Sequence, residues 1–335
     1  MIHTLSIIII NYHSAALIID CLKSFAATSA VNPEMIIVDN SNSEEDKNTI
    51  LTAYPQAKWI NMNYNAGFAR ANNEGIRQST GDVVLLLNPD TLIIGNAIDK
   101  TFNDFVQSEY IACGVQLQNE DGSPQISGNY AMKGGLNYLL PLPYTGAFIK
   151  LLGTLLKVSK PNVPDASDTV EVDWVNGAFL MVKKTAINNA GLLDEDFFLY
   201  AEEAEWCSRL SKTGKLCIYG NYKVTHLQGE TANDAFSSEG KGYYNLYDRK
   251  GLQIMVSNFV RIRKQFGIGW FLFDLMAYTI TIPIFWIIGF IHYLFIPDKF
   301  SRFIKQAKGF TTNVGTLWGL TSKIISNKPY FYKVL

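Results

Sequence analysis

The run Val83-Val84-Leu85-Leu86-Leu87 stops abruptly at Asn88-Pro89-Asp90. Five consecutive apolar residues, two of them β-branched, leave no polar face. Such a strand has to be covered on both sides, as in a parallel sheet. Pro89 cannot donate to a ladder, and Asn and Asp favour turns. The pattern sets a carboxylate at the carboxyl end of a buried strand, where open α/β sheets bind their ligands. A carboxylate there can hold a divalent cation against a phosphate. Taken alone, the tripeptide is more often a solvated turn, so the rest of the chain has to decide.

The first third alternates strands and helices. Leu5–Ile10 reads as a buried strand ending at Asn11-Tyr12, and a helix follows over about 15–27. Met35–Val38 is a second strand ending at Asp39-Asn40-Ser41, followed by a polar helix near 44–53. A short strand at 57–60, a helix at 66–79 and strand 83–87 complete the pattern. This βαβ alternation predicts a doubly wound parallel sheet, with Asn11, Asp39 and Asp90 at one carboxyl-end edge. A helix near 96–108 and a strand near 111–117 extend it. Residues 118–170 read as a long, partly helical excursion covering the crevice. Two strands, 215–219 and 223–227, end near His226.

Composition bears on the C-terminal part. Hydrophobic residues make up 48% and charged residues 18%, with a net charge of −1. From Pro297 onward seven Lys/Arg stand against one Asp, so the tail is +6 and the remainder about −7. Residues 270–296 are apolar and aromatic, long enough for one membrane span. Pro283 in the middle, Asp274 near one end and basic residues on both flanks fit a re-entrant or in-plane segment better. A packed helical hairpin is the alternative. A basic tail beside an apolar segment points to an anionic membrane surface rather than nucleic acid. The four cysteines lack metal-ligand spacing and read as reduced core thiols. The N-terminal residues do not follow the basic–apolar–small order of a signal peptide.

The motifs exclude some chemistries. Asp39 stands where a dinucleotide fold binds ribose, but Asn11-Tyr12-His13-Ser14-Ala15 has no glycine. No phosphate-binding G-x-x-x-x-G-K-[ST] loop occurs either. In Asn65-Ala66-Gly67-Phe68-Ala69-Arg70, Asn65 is expected to cap a helix, Gly67 to permit close approach and Arg70 to reach a phosphate. Glu202, Glu203 and Glu205 crowd a helix start behind Phe197-Phe198-Leu199-Tyr200. First-turn carboxylates complement the helix dipole, and one held beside aromatic residues acquires the basicity of a general base.

In order along about residues 5–265, these pieces resemble the inverting family 2 glycosyltransferases of the GT-A fold, in particular their bacterial rhamnosyltransferase-like branch. The matching stretches are Ile10-Asn11-Tyr12, Val38-Asp39-Asn40, Asn65–Ala69, Leu87–Thr91, Asp121-Gly122-Ser123-Pro124, Asp173–Phe179 and Phe197–Glu203. Each is weak, and the ordered set is specific.

The resemblance implies a Rossmann-like mixed sheet flanked by helices over 1–265; the apolar run and basic tail add the expectation of a helical membrane-associated region over 266–335. It implies that Asn11, Asp39, Asn65, Gly67, Arg70 and Asn88 serve the nucleotide-sugar donor, with Asp39 on the nucleoside. Asp90 ends the family's D-x-D metal motif, with Asn88 in place of its first Asp, and His226 completes the site for Mg²⁺ or Mn²⁺. Glu203 falls where the family has its catalytic Asp; Glu202 is the alternative base. Trp174 and Asn176 match a stretch lining the sugar and acceptor pocket. The implied activity is sugar transfer, with L-rhamnose from dTDP-rhamnose onto a lipid-linked glycan, at the cytoplasmic face of the plasma membrane. The alternatives are another donor, such as a UDP-sugar, or a non-catalytic sugar-nucleotide-binding scaffold.

Overall fold

In the computed structural model, strand Val83–Leu87 is buried along its whole length and lies inside the main sheet. The structure describes residues 3–26, 32–130, 134–158, 162–163, 165–227, 233, 235–238, 245–294 and 296–334. Residue 27 of the first expected helix, residue 295 of the apolar segment, and 131–133, 159–161 and 164 of the excursion lie outside them. The chain divides into two units. The first comprises Met1–Ala131, Pro161–Phe198 and Glu202–Thr231; the second comprises Met132–Lys160, Leu199–Ala201 and Ala232–Leu335.

The first unit begins with β1 (Leu5–Asn11), α1 (Ala15–Ala26), β2 (Glu34–Asp39), α2 (Glu44–Ala53), β3 (Lys58–Asn61), α3 (Gly67–Gln78) and β4 (Val83–Leu87). Next come β5 (Thr91–Ile93), α4 (Ala97–Gln107), β6 (Ala112–Gln118) and β7 (Gly128–Asn129). In the second unit, α5 (Thr145–Leu155) follows. The chain then returns to the first with β8 (Asn162–Val163), β9 (Thr169–Val172), β10 (Trp174–Val175), β11 (Phe179–Lys183), α6 (Lys184–Ala190), α7 (Glu202–Leu210) and β12 (Leu216–His226).

Among the described residues the main sheet has nine strands, eight of them in the order β3-β2-β1-β4-β11-β6-β12-β5, with β9 also on β12. β1 pairs parallel with β2 and β4, and the register sets Asn11 opposite Asp39 and Ile9 opposite Leu87. All seven residues of β1 are buried, as a strand covered by helices on both faces requires. The sheet is not wholly parallel: β11 runs antiparallel between β4 and β6. An apolar run reads alike in either direction, so the sequence pattern does not reveal this reversal.

The two strands expected at 215–219 and 223–227 are one strand, β12, with a register shift between Tyr219 and Lys223. Before the shift β12 pairs with β9; beyond it β12 pairs with β5, setting His226 opposite Thr91. Irregularities of this kind re-aim a strand's end. Gly220 suits the place, because a Cβ there would stand 2.4 Å from the backbone of Ala166.

α2 starts where its sequence says it should. Ser43 accepts from Asp46 N at 3.0 Å, and Glu44, Glu45 and Asp46 fill the first turn. α3 starts one residue later than expected: Ala66 holds the cap position, while Asn65 Oδ1 accepts from Gly67 N at 3.1 Å. Gly67 has φ +73°, and a Cβ there would lie 2.2 Å from Phe198 O. That closeness lets Phe68 N donate to Phe198 O at 2.8 Å, fastening the 197–198 turn to α3.

The second unit carries α8 (Arg249–Phe266), α9 (Ile268–Leu294) and α10 (Pro297–Ser326). Asp248 caps α8 by accepting from Gly251 N at 2.9 Å. Phe271, Leu275, Tyr278, Thr281, Phe285 and Gly289 form one buried stripe on α9, at helical spacing. Edge-to-face rings pack along it, including Phe259–Phe271 at 5.5 Å, Phe259–Tyr278 at 5.1 Å and Phe285–Phe303 at 5.6 Å. The opposite face exposes Leu272, Met276, Ile280, Ile287 and Ile291 among others. Among the described residues α9 is the one helix long and apolar enough to cross a membrane, and one third of its most apolar stretch is buried in the protein.

Gly67→Ala is expected to destabilise the protein by about 2 kcal/mol or more, combining a strained backbone with overpacking against Phe198. Urea unfolding of the two proteins checks this, and equal midpoints would refute the role given to the glycine.

Candidate active site

The site is built on strand ends. The carboxyl ends of β1, β2 and β4 share one edge of the sheet. At the first two, polar groups hold one another: Asn11 Nδ2 donates to Asp39 Oδ1 at 2.9 Å and to Asp46 Oδ2 at 2.9 Å. Asp39 is fully buried and also accepts from Ser41 N and Ser43 N. Asn40 ties this edge to α3, donating to Gly67 O at 3.0 Å and accepting from Ala66 N at 3.3 Å. Asp39 and Asn11 thus frame the edge from inside.

At the third end, Asn88 N donates to Ala178 O at 3.0 Å, so the turn after β4 is bonded to the start of β11. Leu227 N donates to Asp90 O at 2.9 Å, which brings the end of β12 to the same turn. His226 Nε2 stands 3.4 Å from Asp90 Oδ1 and 3.5 Å from Asn88 Nδ2. On the far side of the ring, Nδ1 lies 3.0 Å from Gln125 Oε1. A cleft of about 490 Å³, lined by Asn119, Glu120, Asp121, His226 and Leu227, opens beside it.

Asp90 Oδ1 is an acceptor, and a neutral imidazole nitrogen facing it is another unless protonated. Two such atoms at 3.4 Å need a proton or a cation near them. An oxygen and an imidazole nitrogen form a donor set that suits a divalent ion with open positions left for a ligand's oxygens. Among the described residues no third Asp, Glu, His or Cys joins them. Among the described residues these two side chains are the available donors, and they fit a cation completed from outside.

The acidic helix start reaches the same region through Gly177. Asn176 Oδ1 accepts from Ala178 N at 3.0 Å, and Asn176 Nδ2 donates to Ile126 O at 3.2 Å, shaping the turn into β11. A Cβ on Gly177 would lie 3.3 Å from Glu203 Cγ, so the glycine lets this turn and Glu203 pack together. Tyr200 and Ala201, just ahead of α7, hold left-handed backbone with φ 74° and 67°, uncommon for residues with a Cβ. Burial first, and the charge of Glu203 second, push the Glu202 carboxyl well above the usual carboxylate range. Among the described residues Glu202 Oε2 has no hydrogen-bond partner. Glu205 is part of the scaffold, clasped by Arg209 at 2.8 Å.

Two further expected residues have contacts of their own. Arg70 Nε donates to Glu195 O at 3.1 Å, binding the turn ahead of α7. Trp174 pairs with Asn129 in the small sheet β10-β7-β8, and its Nε1 is buried with no partner among the described residues. Two residues that sequence reasoning passed over are Asn40 and Gln125. Asn40 adjoined a singled-out Asp, and Gln125 directly follows the Asp121–Pro124 turn, which were the available signals.

Known proteins agree with this architecture. Residues 6–160 match the model of Glycosyl transferase family 2. The chain is 29% identical over 214 residues to the low-salt glycan biosynthesis hexosyltransferase Agl10 of Haloferax volcanii, covering 62% of each chain. It is 23% identical over 239 residues to an N-acetylglucosaminyl-diphospho-decaprenol L-rhamnosyltransferase of Mycobacterium tuberculosis, covering 65% of this chain and 74% of the relative. The chain thus spans about three fifths of the archaeal relative's length. In overall fold it is similar to the mannosyltransferase PcManGT of Pyrobaculum calidifontis, solved with GDP-Man and Mn²⁺. That match has a TM-score of 0.54 and 12% identity over 95% of this chain and 88% of the other. The strand order, the match of residues 6–160 and the sugar-transferring relatives support one reading: a family 2 glycosyltransferase domain on the GT-A fold, with rhamnosyltransferase-like relatives.

Proposed function

We propose that the chain is an inverting transferase that moves L-rhamnose from dTDP-L-rhamnose onto a lipid-linked glycan in bacterial surface polysaccharide synthesis. The observation that carries the metal-assisted, diphosphate-sugar chemistry is the Asp90–His226 pair, whose acceptor atoms stand 3.4 Å apart at the ligand-binding edge of the sheet. The choice of sugar and lipid-linked acceptor draws on the mycobacterial relative, which is named for both.

Asp90 and His226 would hold Mg²⁺ or Mn²⁺. Bound there, the ion supplies positive charge for the diphosphate that leaves. The edge framed by Asn11, Asp39, Asn40 and Asn65 shapes the nucleoside end, and Gly67 admits the close backbone contact that this requires. Arg70 secures the turn ahead of the acidic helix. Glu203 takes the proton from the acceptor hydroxyl as that oxygen attacks the anomeric carbon. Burial favours the neutral form of Glu202, so Glu203 is the carboxylate assigned as base. Trp174 and Asn176 build the wall beside the base. A single displacement inverts the anomeric centre and needs no carboxylate nucleophile, unlike a retaining hydrolase.

The second unit would rest on the cytoplasmic leaflet, where a lipid-linked acceptor is presented. Its apolar helix exposes Ile280, Ile287 and Ile291, and the following helix carries Lys299, Arg302, Lys305 and Lys308.

Asp90→Ala is expected to lower turnover at least about 100-fold, and EDTA should do the same to the wild type, reversibly on adding Mn²⁺. EDTA-resistant transfer from dTDP-rhamnose would refute the metal assignment. Glu203→Gln should cost about 10²- to 10⁴-fold in turnover, whereas Glu202→Gln should keep most of it. The reverse order would move the base to Glu202. Glu202 binds its proton more tightly folded than unfolded. Its contribution to stability is therefore full below the ordinary carboxylate range and lost as pH rises through the raised native value. Between about pH 5 and about pH 8 the wild-type Tm should accordingly fall more than that of Glu202→Gln. Replacing Ile287 and Ile291 together by Lys should release protein from anionic phospholipid vesicles in co-sedimentation; unchanged binding would rule out that face.

A further inference from the structure

We propose that Gln125 is the positioning residue that fixes the tautomer and orientation of His226, presenting Nε2 as an acceptor toward Asp90. This rests on the reading of Asp90 and His226 as the metal-holding pair.

The backbone of Gln125 is pinned before its side chain acts. Its N donates to Leu117 O at 2.8 Å, and its carbonyl accepts from Gln116 Nε2 at 3.0 Å and Ser127 Oγ at 3.1 Å. The side chain is buried, with 4% of the residue exposed. Its Nε2 lies 2.6 Å from His226 O, 2.8 Å from Asn119 Oδ1 and 3.3 Å from Gln118 O. A backbone carbonyl can only accept, so the nitrogen of the amide has to face His226 O. The amide therefore cannot be turned over, and its Oε1 faces His226 Nδ1 at 3.0 Å. An amide oxygen can only accept, so Nδ1 carries a hydrogen. In the neutral ring that leaves Nε2 with its lone pair on the side of Asp90 Oδ1.

One glutamine thus grips both ends of His226, the backbone carbonyl and the ring. With Nδ1–H engaged, the ring cannot flip without losing a buried bond, and a hydrogen bond of this kind raises the ligating nitrogen's basicity. The constraint explains how a site with two chain ligands can be preorganised. Asp90 is fixed by its turn, and His226 by Gln125 from across the sheet end.

The test uses the full chain and two substitutions. Gln125→Leu removes both bonds at similar size; Gln125→Glu keeps an acceptor for Nδ1–H but loses the donor to His226 O. In protein labelled with ¹⁵N-histidine and free of metal, long-range ¹H–¹⁵N correlation spectra at neutral pH should show the Nδ1–H tautomer for His226 in the wild type and Gln125→Glu. Gln125→Leu should show a shift toward Nε2–H. Calorimetric titration of Mn²⁺ with dTDP or UDP should show binding weakened about 10- to 100-fold in Gln125→Leu and largely restored in Gln125→Glu. A wild-type ring in the Nε2–H form, or Gln125→Leu binding Mn²⁺ as the wild type does, overturns the proposal. His226→Ala is the separate control: unchanged Mn²⁺ binding there overturns the metal reading itself, whereas the tautomer spectra judge the Gln125–His226 bond independently.

Discussion

The burial of β1, β2 and β4 from both sides is the constraint on which the first unit depends. Strands without a polar face confine their polar residues to their ends, and a parallel pairing puts those ends together. Asn11 and Asp39 are directly opposite in register, and Asn88 follows the last residue of β4. Asn11 and Asp39 satisfy each other and nearby backbone amides, as buried polar groups must. The site is therefore the rim of a hydrophobic core. Its chemistry is inherited from the same packing that holds the unit together.

How much of this was legible in the sequence depends on the range of the interaction concerned. Elements written in local pattern, such as Leu5–Ile10, Val83–Leu87 and the Ser43-capped helix, lie within a residue or two of where the pattern puts them. The placement of Asp39 and Asp90 on one edge followed from the same alternation. The irregularity at Gly220 looked like a gap between two strands because a register shift and a true break share their small and polar residues. Arg70 could be read only as a group reaching for a phosphate because its partner Glu195 lies 125 residues away. Gln125 left only its place after the Asp121–Pro124 turn: a single glutamine in a polar loop acquires meaning from a bond to a residue 101 positions further on.

The carboxylate pair on α7 shows how neighbouring identical side chains take unequal parts. Both Glu202 and Glu203 lie at a helix start, where the dipole favours negative charge. Burial works against that preference at Glu202, and the proximity of Glu203 adds to the cost of a second charge. The Asn176–Gly177 turn, which gives Glu203 room, is bonded to the Asn88 turn. Local charge and a chain of backbone contacts thus join the acidic helix to the end of β4.

The pairing of His226 with Thr91 has a consequence for when the protein becomes competent. Asn88 and His226 are 138 residues apart, and the strand carrying His226 is the last of its unit to be synthesised. A nascent chain can assemble β1 to β4 early, from contacts close in sequence, but contacts of such long range are slow to form. Until β12 docks along β6 and turns onto β5, Asp90 has no imidazole opposite it. Completion of the sheet and pairing of Asp90 with His226 are one event, so a partly made chain exposes the polar strand ends before that pair exists.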